Sequence, residues 1–128
     1  VIPVSLLIEL NFVMLPENDR ATIVQFQQQV ETVASLLSGE FDRSIFKTEV
    51  ASLKSLFQNQ IQSIETENYL IHSLFVEIDK QMRLFKMDAM FLQTARQSET
   101  AQQRIGQLRD RLQRLQEYCQ GILAIEDA

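Results

Sequence analysis

Tryptophan is absent from this sequence, and histidine and cysteine occur once each, at His72 and Cys119. A lone cysteine excludes an intramolecular disulfide and fits a reducing cytoplasm. A metal site would need further ligands at helical spacing around His72. The residue three positions before it is Tyr69 instead of Glu, so the carboxylate-bridged di-iron pattern fails. His72 lies beside Ile71 on an apolar run and reads as a partly buried structural histidine. Cys119 occupies an apolar seam and reads as a small hydrophobe. Only three glycines are present, and no phosphate cradle or P-loop pattern surrounds them. No nucleophile and base fall at a telling spacing. The expectation is a protein without enzymatic activity, cofactor or metal.

Proline and glycine are both missing between Gly39 and Gly106. Large apolar residues recur there every three or four positions. Ile45, Phe46, Val50, Leu53, Phe57, Ile61 and Ile64 form one run. Ile71, Leu74, Phe75, Ile78, Met82, Phe85, Ala89 and Leu92 form the next. That spacing lines one face of an α-helix. With 128 residues and 45% hydrophobic content, the chain can bury one modest core. The fold expected is all-α: three or four long antiparallel helices with coiled-coil-like packing, forming one domain over residues 14–128.

Pro16 suits the opening of the first helix, with Glu17 and Asp19 complementing its dipole. Ile23, Phe26, Val30, Val33 and Leu37 give it a buried stripe, and Gly39 fits the left-handed cap after about Ser38. Asp42 is a good N-cap for the second helix. Ordinary helix lengths favour a break in the polar stretch Glu65 to Asn68. The missing Gly and Pro favour continuity, and the balance leans toward one long helix reaching about Gln97. In the last helix Ala101, Ile105, Leu108, Leu112, Leu115, Cys119 and Ile122 alternate steps of four and three, a coiled-coil seam. Gly106 weakens that helix, Gly121 is expected to fray its end, and Glu126 to Ala128 reads as a tail.

The apolar segment Val1 to Val13 is too short to span a bilayer and lacks the basic flank of a secretory signal. Met14 reads as an alternative start, which would make residues 1–13 a non-native extension. Otherwise the alternation of Val4, Leu6, Ile8, Leu10 and Phe12 suits an extended N-terminal arm.

Charge is unevenly spread. Residues 1–79 carry four bases and eleven acids, residues 80–128 eight bases and six acids, for a net −5. That balance excludes a general nucleic-acid binder. Around Met82, Phe85, Met87, Met90 and Phe91 the helix is apolar on nearly all sides, so it is either central or covered by another chain. Arg104 and Arg111 flank the last seam, with Glu31, Glu49, Glu65 and Glu67 as candidate partners. Met87 and Phe91, bordered by Arg83, Lys86, Arg104, Arg111 and Arg114, form the candidate protein-docking surface. The alternative is a homo-oligomeric coiled coil, such as a homodimer, with no separate client.

From Met14 onward the chain resembles the PatD family of small heterocyst-frequency regulators in filamentous cyanobacteria. The resemblance rests on size, on the opening Met14-Leu15-Pro16-Glu17-Asn18-Asp19-Arg20, on the Gln-rich helical middle, and on the Arg-rich seam from Leu108 to Leu115. Residues 1–13 depart from that pattern. The resemblance implies a non-enzymatic cytoplasmic regulator that binds the division protein FtsZ and modulates its assembly and cell differentiation. It carries over no site residues.

Overall fold

Pro16 opens the first helix in a computed structural model that describes residues 15–127. Its carbonyl accepts from the amides of Asp19 and Arg20, and helix α1 runs Glu17–Ser35. The chain leaves through Gly39 at φ +76°, where a side chain would be strained. Helix α2, Arg43–Leu56, starts where Asp42 Oδ1 accepts from the amides of Ser44 and Ile45, at 2.9 and 3.0 Å. It passes into a π-helical turn, Phe57–Ile61, closed by the Gln62 amide on the Phe57 carbonyl. Both ends of that widened turn, Phe57 and Ile61, are buried.

The second helix does not continue to Gln97. It stops at Ile61, and α3 begins afresh at Tyr69. No Gly or Pro is needed, because side chains end and restart the backbone pattern. Asn68 Oδ1 accepts from the amides of Leu70 and Ile71, and Thr66 Oγ1 accepts from the Asn68 amide. Helix α3 spans Tyr69–Thr94, and α4 spans Ser98–Asp127 after a three-residue connection.

The four helices form an all-α bundle, with no strand among the described residues. Neighbours run antiparallel. The start of α2 meets the end of α3, since Arg43 donates to the carbonyls of Leu92, Gln93 and Ala95 at 2.9 to 3.0 Å. Gln27 of α1 touches Gln120 and Gln116 of α4, while Arg109 reaches back to the Leu37 carbonyl. The long pair α3 and α4 packs together most extensively. Phe26, Phe46, Phe57 and Phe85 lie at the centre, fully buried.

The α4 seam is inside as its spacing predicts, with Ile105 through Ile122 buried and Ala101 partly so. Gly121 does not end the helix, which continues through Asp127, so Glu126 and Asp127 are helical, and Ala128 lies outside the described residues. A Cβ at Gly121 would lie 3.3 Å from Leu74 Cδ1, so the glycine serves a close approach of α4 to α3. The proposed N-terminal arm lies outside the described residues.

Candidate interaction surface on the third helix

Helix α3 buries Ile71, Ile78, Met82, Phe85, Ala89 and Leu92. It also carries apolar residues that its own bundle leaves uncovered. Val76, Met87, Met90 and Phe91 are 52%, 48%, 57% and 38% exposed, and Tyr69 and Leu70 more so. Among the described residues the only other large exposed hydrophobic is Ile45. The helix around Met87 is therefore not central to the bundle. It is an outer helix whose far side faces solvent.

Phe91 connects this face to the arginines. The Arg104 guanidinium stacks 4.5 Å from its ring centroid. Arg104 Nη1 also lies 3.4 Å from Asp88 Oδ1 and donates to Gln107 Oε1 at 3.0 Å. Arg111 Nε lies 3.3 Å from Asp88 Oδ2. Asp88 is 6% exposed, so two arginines one heptad apart on α4 flank one buried carboxylate on α3. The acids expected to serve them, Glu31, Glu49, Glu65 and Glu67, do not. Glu49 instead accepts from Gln29. Sequence did hold a signal for Asp88: it stands three residues after Phe85 and four before Leu92, beside Ala89, so helical spacing brings a carboxylate to the edge of the buried stripe.

The structure divides the expected basic strip. Phe91, Arg104 and Arg111 come together around Asp88, with Met87 on the outer face nearby in sequence. Lys86 turns toward α2, its ammonium 5.7 Å from the Phe57 ring centroid. Arg83 is exposed and pairs with Asp79 one turn earlier at 3.2 Å. Arg114 is exposed on α4. Arg43 and Arg109 hold carbonyls at the C-terminal ends of α3 and α1, roles that only the tertiary fold creates.

His72 is exposed, correcting the expectation of partial burial. One residue past Ile71 is a rotation of about 100° around the helix, which carries it off the core face. It lies on the lip of an open groove of about 630 Å³ between the π-helical turn and α3. Phe57, Ile61 and Phe75 line the groove, and Asp79 accepts from Gln62 and Arg83 at its rim. Cys119 is enclosed, and burial pushes its thiol up to about 12. A thiolate is not accessible there at neutral pH. No cluster of three or more His, Cys, Asp or Glu able to hold a metal occurs among the described residues. None of the described helices is long and apolar enough to cross a membrane.

The surface on α3 can bind by burying Met and Phe side chains between cationic neighbours, a composition suited to protein recognition. No family model, curated protein or solved structure matches the chain.

Proposed function

We propose that this protein is a non-enzymatic regulator that acts by docking another protein on the outer side of α3. The observation that carries the reading is the confinement of exposed large apolar side chains, Ile45 apart, to that one helix among the described residues. A bundle gains nothing from leaving Met87, Met90 and Phe91 in water, and contiguous exposed apolar surface marks a contact site. Arg83 on the same helix and Arg104 over the Phe91 ring border the patch and supply its polar rim, while Lys86 and Arg114 drop out of it. Arg104 and Arg111 also hold Asp88, so they fix the patch from beneath.

The resemblance to PatD names FtsZ as the first partner to test, with modulation of its assembly in the cytoplasm as the consequence. The test is a titration of the full chain with purified FtsZ, read by calorimetry, beside light scattering of FtsZ assembly. The parent should bind and alter assembly. Met87→Ser combined with Phe91→Ser should weaken binding about ten-fold, equivalent to about 1.4 kcal/mol, at unchanged helicity. A parent that does not bind removes FtsZ from the model. Undiminished binding by the double variant removes this face.

A further inference from the structure

Ser73, Val76, Lys80, Arg83, Met87 and Met90 are all exposed, and they follow one another along α3 in alternating steps of three and four. Tyr69 and Thr94, also exposed, extend the alternation to both ends of the helix. A period of 3.5 is the pattern of a helix seam that meets another helix. Helix α3 therefore has two seams on opposite sides. The inner one packs the bundle. The outer one has an apolar arm at Val76, another at Met87 and Met90, and two cations between them. Lys80 has no ion pair among the described residues. Arg83 has only the exposed contact to Asp79, which is worth little.

This order of residues speaks against a second copy as the occupant. In an antiparallel pairing of two α3 helices, Val76 falls opposite Met87 of the other copy, which is favourable. The same register sets Lys80 against Arg83 twice, gathering four cations at the centre. A parallel pairing sets Lys80 against Lys80 and Arg83 against Arg83. Either way like charges meet inside the contact, an element that selects against self-pairing. The same centre is complementary to carboxylates.

We propose that the outer face of α3 is a docking seam for an amphipathic helix of another protein, whose apolar seam residues flank a central acidic pair that meets Lys80 and Arg83. The proposal rests on the docking reading above and adds the chemistry of the occupant.

The test uses the full chain and fluorescein-labelled designed helical peptides. One has leucine at its seam positions and two glutamates at the centre. Its twin has two lysines there, and a third is a scramble of the glutamate peptide with the seam destroyed. Anisotropy titrations at about 0.15 M salt keep distant charges screened. The glutamate-centred peptide should bind at least about ten-fold tighter than its lysine twin, and the scramble should not bind. Lys80→Glu combined with Arg83→Glu, both exposed positions, should reverse the preference between the twins. Equal affinities, no binding by either twin, or equal binding by the scramble overturns the proposal. So does capture by phosphatidylserine vesicles without discrimination among peptides. The two readings separate cleanly. Peptide discrimination without FtsZ binding keeps the seam and removes the division partner. FtsZ binding that depends on Met87 and Phe91, without peptide discrimination, keeps docking and removes the acidic helix.

Discussion

Asp88 is buried although Met87, the residue before it, faces solvent. A carboxylate three positions after Phe85 and four before Leu92 is drawn against the α4 side of the bundle, where only paired charge is tolerated. The two arginines that serve it remain 26% and 31% exposed by side chain, so water shares their solvation. Asp88→Ala should therefore lower stability by about 1–3 kcal/mol, less than loss of a fully buried pair, read by urea unfolding. It should also loosen Arg104 from Phe91. Cys119 makes a prediction in pH. Its thiol ionises near 9.0 without the fold and near 12 within it. Above pH 9 the unfolded chain loses the proton and the folded chain does not, so stability falls as pH rises through that window. The slope is at most about 1.4 kcal/mol per pH unit. Comparing unfolding free energies at about pH 8 and pH 10 for the parent and Cys119→Ala isolates it. The parent should lose the more.

At the scale of the element, two glycines in one helix separate propensity from packing. A Cβ at Gly106 would meet nothing within 4 Å, whereas one at Gly121 would press on Leu74. Gly106→Ala should stabilise by about 1 kcal/mol through helix propensity alone. Gly121→Ala should gain less, because Leu74 must give by a few tenths of an ångström. Thermal unfolding of both variants checks the contrast, and equal gains would show that α3 and α4 are not held so closely. The same helices show what a sequence exposes and hides. The α4 seam from Ile105 to Ile122 was legible because its period is set by the partner helix it must match. The Gly39 turn and the Asp42 cap were legible because their residues have strong local preferences. The break before Tyr69 was poorly legible. Asn68 and Thr66 end one pattern and begin another by hydrogen bonds that no apolar periodicity reports.

For the whole molecule, the helical class followed from periodicity, but which helices touch did not. The arginines flanking the α4 seam were visible as a basic set. Their division between Asp88, the Leu37 carbonyl and open solvent depends on how α4 is rotated against α1 and α3. The exposed side of α3 was half legible: an apolar surround at Met87 and Phe91 signalled either a central helix or a covered one, and only the bundle decides that it is outermost. Finally, the arginine ties have a consequence for how the molecule comes apart. Arg43 fastens the end of α3 and Arg109 the end of α1, both at the end of the bundle that carries the turns at 36–42 and 95–97. At the opposite end, residues 62–68 cross from α2 to α3 outside any helix. The last turn of α3, whose carbonyls Arg43 holds, should therefore open later than that non-helical crossing, its amides exchanging more slowly than those of residues 62–68.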